Sequence, residues 1–411
     1  LSAPGPCLAT SNKGDILDVT APIRRLDHPN GRIWTFDPER IADPNRKSAP
    51  WVWDLIASVQ SIADAKRIAD CWRYASGQPQ TGGDDFFPGT AAQQLADYLF
   101  AAHLGGRSVS DVFRWCSNER DTSPADILSE YPRYAGIASR VSSVIALTPE
   151  TRSGVFGSLQ TMVAFLADPE IIDWIDPHRD TEGNIDERRG LFDPYEFATS
   201  EDTLYLLSAQ GRPSTALTAS LTAVVAFTAF QRAQSEFADN NRRLPVPLCC
   251  VLDEAANICR WPELADVYSY FGSAGIPIMT IWQNPDQGKA AFGETNFGSL
   301  FNNANITVYL GGIKDAKFLG EISQLVGQRE IVRGSVNIDG TGRRSVNNSI
   351  QKENILDVSD LTEWPVGRAL LLASQSRAQI VKTLPWTGNR QWADALAQAK
   401  AKARDEQRKA A

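Results

Sequence analysis

Asp253 and Glu254 stand side by side directly after Leu248-Cys249-Cys250-Val251-Leu252, an apolar run without alternation. Such a run suits a strand buried on both faces of a parallel sheet. Pro245 and Pro247 punctuate its start. Two carboxylates have no packing reason to follow it, because carboxylates are rarely buried without a partner. The carboxyl end of a parallel strand is where open α/β sheets place ligands. The pattern is that of a Walker B strand, with Asp253 holding the magnesium shell of a nucleotide and Glu254 orienting or deprotonating the attacking water. The plainer alternative is a strand followed by a helix whose first turn carries acids to complement its dipole.

A frame large enough to position such a pair is available. The 411 residues should form two or more domains, each able to bury a core. Hydrophobic content of 43% and charged content of 22% are ordinary for a soluble globular protein. The formal net charge of −8 argues against a surface that coats nucleic acid, without excluding a local basic groove or pore lining. Cys7, Cys71, Cys116, Cys249, Cys250 and Cys259 form no CxxC pair, so zinc is not expected. They read as small apolar residues of a reducing, cytoplasmic compartment. The opening Leu1-Ser2-Ala3-Pro4-Gly5-Pro6 has no signal-peptide pattern. Residues 213–231 are uncharged and barely long enough to span a membrane, and they read as a buried core helix instead.

Taken in order, residues 6–11 read as a strand, Asn12-Lys13-Gly14-Asp15 as a turn opening a helix, and residues 32–36 as a second strand. That is a βαβ unit, so a parallel sheet is under way from the start. From about Leu55 to Arg189 apolar residues recur at three- and four-residue spacing and β-branched runs are few, which predicts an all-α domain. Trp51, Trp53, Trp72, Trp115 and Trp174 read as core rather than as a platform for stacking bases. The sheet resumes at residues 203–208, followed by an apolar helix from about Ser214, the acidic-pair strand, and strands at 276–283, 306–310, 368–373 and 379–381. Residues 329–338 and 343–350 alternate around Asp339-Gly340-Thr341-Gly342 and predict a β-hairpin too polar on both faces to be buried. Residues 389–411 are Ala-rich with mixed charges, a surface helix or tail.

Several of these pieces together resemble one family. "LCCVLDEAANI", "IPIMTIWQNPDQGKAAFG" and "LFNNANITVYLGGIKDAKFLGEISQLVGQREIV" look like the C-terminal half of type IV secretion coupling proteins, the TraG/TraD-like conjugation ATPases. "ATSNKGD…WTFDP", "LYLLSAQGRPSTALTASLTAVV" and "ILDVSDLTEWPVGRALLL" resemble further segments of that family in the same order. The likeness covers nearly the whole chain and is weakest in the helical stretch. It implies an α/β fold: a RecA-like P-loop NTPase core with a parallel-rich sheet (residues 1–54 and 190–388), an inserted all-α domain (55–189), a projecting β-hairpin and a charged tail (389–411). It also implies a homo-hexamer at the cytoplasmic face of the bacterial cell membrane, hydrolysing ATP with magnesium. Its partners would be DNA, relaxase or relaxosome proteins and the type IV secretion machinery. Asp253 and Glu254 match the family's acidic pair. Gln283 matches a glutamine that ends the next strand, where an amide could sense the γ-phosphate. Lys13 and Asp15 match a lysine–glycine–acid turn at the nucleotide or subunit interface.

The chain departs from the family in two places. No GxxxxGK[ST] occurs: Gly288-Lys289 is followed by Ala290, and Gln283 stands where the first glycine would be. Without that loop nothing supplies the phosphate-cradling N–H groups and lysine. In the family it lies just before the strand with which this chain opens, so the sequence is expected to begin downstream of it and of the membrane anchor. The family often places an arginine between the acidic pair and the glutamine strand, but residues 270–275 read Tyr-Phe-Gly-Ser-Ala-Gly. Arg260 and Arg329 are substitutes, and Arg152, Arg343 and Arg344 are candidates for DNA or subunit contacts, although solvated arginines are common. The alternatives are an inactive substrate receptor or adaptor of the same fold, or a HerA/FtsK-type DNA translocase.

Overall fold

A computed structural model describes residues 1–78, 86–177, 189–209, 211, 214–338 and 344–410, without the side chains of 335–338, 344–347 and 403–410. The chain divides into two compact units. The first comprises residues 1–282, 286–300 and 395–411, and the second residues 283–285 and 301–394.

The first unit is built on a five-stranded sheet. Its strands are β1 (Cys7–Ser11), β2 (Ile33–Phe36), β5 (Thr203–Leu207), β6 (Cys249–Leu252) and β7 (Ile278–Thr280), ordered β2-β5-β1-β6-β7. Every pairing in it is parallel. Parallel strands need crossover connections, and helix α1 (Asp15–Asp27) carries the chain from β1 past the place of β5 to β2. A short parallel pair, β3 (Trp51–Trp53) with β4 (Gly190–Phe192), stands apart from this sheet.

Between β3 and β4 the described residues hold helices and no strand. They are α2 (Ile62–Ala75), α3 (Phe86–Leu104), α4 (Val109–Ser117), α5 (Ser123–Ser129), α6 (Ala135–Ile145), α7 (Pro149–Val163) and α8 (Pro169–Ile175). This is the all-α character that the three- and four-residue spacing predicts. Ser61 and Ser108 accept hydrogen bonds from the third residue of α2 and α4, which satisfies orphan N–H groups at both starts. The helices share one apolar core with the sheet rather than enclosing their own: Leu95, Trp115 and Phe156 belong to the same buried cluster as Leu204, Leu206 and Cys250. After the four-residue helix α9 (Pro194–Phe197), the long helix α10 (Ser214–Ser235) runs through this core. It is apolar enough to cross a membrane by length and composition, but 78% of its apolar window is buried inside the protein. Its serines are used locally, since Trp72 of α2 donates its indole N–H to Ser220 Oγ at 3.1 Å.

The tryptophans are packing groups. Trp51, Trp53, Trp72, Trp115 and Trp174 are all buried. Trp51 lies edge-on to Trp34 at 5.5 Å and to Trp174 at 5.1 Å, and 5.4 Å from Phe192, so one ring joins β2, β3, α8 and β4.

The second unit has its own sheet, β12-β11-β8, from β8 (Ile306–Tyr309), β11 (Arg368–Ala373) and β12 (Gln379–Lys382), and every pairing is antiparallel. These strands were expected to follow on from the first sheet and finish the core, and they pair instead in a sheet of their own. An apolar run announces a strand but not its partner, and β8 takes β11 in the register Tyr309↔Leu370. Tyr309, Leu319, Ile322, Leu361 and Leu370 form a separate small core. The hairpin is present as β9 (Gln328–Ile338) against β10 (Arg344–Asn354). Its expected turn, Asp339–Gly342, and Arg343 lie outside the described residues, as do Gln210 and Pro213. It is less polar than the residue types suggest, because the register sets exposed Val332 opposite exposed Ile350.

Trp51→Ala should cost about 3–5 kcal/mol, the range for emptying a buried aromatic site. Urea denaturation of the chain checks this, and an unchanged midpoint would remove Trp51 from its assigned place as the link between β2, β3, α8 and β4.

Candidate active site

β1 and β6 run side by side in the register Thr10↔Leu252, so whatever follows each strand emerges at the same edge of the sheet. After β1 comes the turn Asn12-Lys13-Gly14, and after β6 come Asp253 and Glu254. Thr10, itself buried, ties the two ends together by donating its hydroxyl to the backbone carbonyl of Asp253 at 2.8 Å. Ser11 steadies the turn, its Oγ accepting from the Lys13 N–H at 3.2 Å. Asp15 opens α1, where its Oδ1 accepts from the Ile16 N–H at 2.9 Å.

The electrostatics of Asp253 show the cluster directly. Burial pushes its carboxyl above the ordinary aspartate range, and the neighbouring charges of Glu254 and then Asp15 push the same way. A backbone hydrogen bond at Glu254 and the Lys13 ammonium pull it back only in part. Glu254, Asp15 and Lys13 are therefore within electrostatic reach of Asp253. Gln283 belongs with the second compact unit.

Glu254 sits in the left-handed region at φ 52°, ψ 38°. A non-glycine residue there costs about 1–2 kcal/mol. It turns the chain abruptly from β6 into α11 (Ala255–Ile258), and the Glu254 carbonyl accepts from the N–H groups of Asn257 and Ile258 at 2.8 and 3.1 Å. The Asn257 side-chain amide also donates to Glu254 Oε2 at 2.6 Å. Thr10 and Asn257 are the two site residues that motif reading passes over. The available signal for Asn257 was a single amide one helical turn beyond the acid, in the otherwise apolar run Ala-Ala-Asn-Ile.

Arg260 donates from Nε to the carbonyl of Ala256 at 3.2 Å and is half-buried. Arg329 is exposed on β9 opposite Glu353. Arg152 is held inside the helical insert by Glu119 and by the carbonyls of Ile145 and Leu147. The side chain of Arg344 lies outside what is described.

The chemistry of the donor set suits one divalent cation held through water. Asp253 and Glu254 repel each other with only partial relief from Lys13, and a cation would remove that repulsion. Among the described residues no three His, Cys, Asp or Glu side chains converge as a metal cage, so most of the coordination shell would have to come from water and phosphate oxygens.

Residues 247–366 match the family model described as the TraM recognition site of TraD and TraG. No curated protein matches the chain. Solved structures do so at full coverage. Unbound bacterial conjugative coupling protein TrwBΔN70 superposes with TM-score 0.58 at 15% identity, over 94% of this chain and 87% of that one. The plasmid coupling protein TrwB with the GTP analogue GDPNP gives TM-score 0.57 at 15% identity over the same shares, as does TrwB with ADP and Mg2+. At that identity the likeness is one of fold, a RecA-like α/β architecture.

Because folding raises the pKa of Asp253, the folded protein holds that proton more tightly than the unfolded chain does. Stability therefore falls as pH rises from the ordinary aspartate range through the raised folded value. Asp253→Asn removes this titration, so the variant should melt above wild type at neutral pH, and the advantage should shrink as pH is lowered through that window. Paired thermal melts between pH 3 and 7 test the sign, and a difference independent of pH would contradict it.

Proposed function

We propose that this chain, which resembles the TraG/TraD-like coupling proteins, is most of the cytoplasmic part of an ATP-driven motor that recruits DNA–protein substrates and drives them into a conjugation or type IV secretion channel. The observation that carries this reading is the acidic pair at the carboxyl edge of a parallel sheet, beside the Lys13–Asp15 turn. Asp253 would hold magnesium through water, and Glu254 would orient or deprotonate the water that attacks the γ-phosphate. Bound Mg–ATP supplies the phosphoanhydride and the metal charge, and this chain's residues position both. TrwB solved with ADP and Mg2+ and with nucleotide analogues supports ATP and magnesium as the cofactors. The description of the matched family model supports a relaxosome-class protein as one partner. Assembly as a hexamer at the cytoplasmic face of the membrane goes with the same reading.

The reading requires a phosphate-cradling loop beside Asp253. β7 has no strand on its far side among the described residues, and Met279 and Ile281 are exposed there. A further parallel strand delivering the loop would pair at that edge. The lack of a GxxxxGK[ST] stretch in these residues also favours a second reading, a receptor of the same fold that binds cargo without turnover. A translocase of chromosomal DNA is a third, and it would move DNA without secretion machinery.

The 411 residues alone should hydrolyse ATP slowly or not at all and bind DNA weakly, with strong salt dependence. In the full-length protein carrying the loop, Glu254→Gln should lower kcat by about 10²-fold or more while nucleotide binding persists. Steady-state ATPase assays with parallel equilibrium binding decide it: turnover that survives the substitution would remove Glu254 from its role, and nucleotide-independent cargo binding without any turnover would favour the receptor.

A further inference from the structure

We propose that Asn257 is a positioning residue that holds the Glu254 carboxylate in its working orientation; this rests on the role given to Glu254 above. Three observations converge on it. The Asn257 side-chain amide donates to Glu254 Oε2 at 2.6 Å, a short contact of the kind a charged acceptor favours. Asn257 is only 8% exposed and is flanked by buried Ala255, Ala256, Ile258 and Cys259, so its amide has little freedom to turn elsewhere. Its backbone N–H donates to the Glu254 carbonyl at 2.8 Å, which locks donor and acceptor residues into the same short turn.

The backbone of Glu254 makes such a tether useful. A strand that ended in ordinary extended geometry would project successive side chains to opposite faces. At φ 52° the chain turns instead, and the direction of the Glu254 side chain depends on what grips it. Asn257 grips from one helical turn further on, as i and i+3 positions allow. An amide is the suitable chemistry: it donates to a carboxylate without adding charge, whereas an acid at 257 would put a third negative group beside Asp253 and Glu254. Asn257 touches no reacting atom in this scheme and acts only through Glu254.

Two measurements test this, and the first needs no nucleotide. Hydrogen exchange at the amides of residues 255–259 in the chain itself should be about tenfold faster in Asn257→Ala, the effect of losing one buried bond. The near-isosteric Asn257→Asp should move in the same direction, and it serves if the alanine variant fails to fold. Unchanged exchange in the variants overturns the tether. In the ATP-hydrolysing full-length protein, Asn257→Ala should lower kcat about tenfold or more with KM for ATP unchanged. Placed on a Glu254→Gln background it should cause no further loss in single-turnover rate, since there is no base left to position. A loss on that background equal to the loss in wild type, or a rise in KM with kcat intact, overturns the proposal. If the wild-type protein hydrolyses no ATP, the functional reading fails on its own, and the exchange experiment still decides whether Asn257 holds Glu254.

Discussion

Everything chemical in this molecule depends on β1 and β6 being neighbours that run the same way. Antiparallel pairing would send the Asn12–Asp15 turn and the acidic pair to opposite ends of the sheet. Parallel pairing in the register Thr10↔Leu252 brings them to one edge, and the Thr10 hydroxyl bound to the Asp253 carbonyl keeps the two chain ends from separating. The residues concerned lie far apart in sequence, so nothing local could bring them together. The sheet does it by burying both faces of strands such as β1 and β5, which are buried along their whole length. At that half-buried edge charges interact more strongly than they would in open water.

The helical insert is bound into this arrangement rather than hung from it. Arg67 of α2 lies 3.5 Å over the ring of Phe227 in α10, and its Nε donates at 2.9 Å to Glu263, in the segment that follows α11. Asp64 holds the same guanidinium at 2.8 Å. A nearly buried arginine with two acid partners and an aromatic face is a fixed joint, because removing any partner leaves charge uncompensated. A displacement of the strap beyond Glu254 would thus be felt at α2. With one continuous apolar core beneath both parts, the insert cannot slide freely over the sheet.

Much of this was legible in the residues. The apolar run before the two acids does form a parallel strand with Asp253 and Glu254 directly after it, although Cys249 and Val251 are only half-buried rather than enclosed on both faces. The helical stretch was readable because three- and four-residue spacing persists over many turns. What stayed hidden was non-local or conformational. No pattern in Ile306–Tyr309 or Arg368–Ala373 says that they pair with each other in a separate sheet, since partner choice is decided by register and packing. The hairpin reads as polar when its residues are tallied, yet pairing sets Val332 against Ile350. The left-handed turn at Glu254 was equally invisible, because glutamate carries no sequence signature for positive φ.

That turn and the raised pKa of Asp253 are two costs located at adjacent residues, and their coincidence is informative. A strand end under selection for stability alone would place glycine or asparagine at the positive-φ position and would not set two like charges together in a half-buried site. Here the chain tolerates backbone strain at Glu254 and electrostatic strain at Asp253, while groups around them are satisfied: the Thr10 hydroxyl, the Asn257 side chain and the Asn257 and Ile258 N–H groups all find partners. Strain confined to the reactive groups and satisfaction in their supports is the distribution expected when surrounding structure holds a site in a form it would not adopt by itself. An ion-paired acidic surface would show the reverse, with relaxed backbone and carboxylates shifted down by cationic partners. The raised carboxyl of Asp253, due first to burial and then to Glu254, is the electrostatic part of that strain.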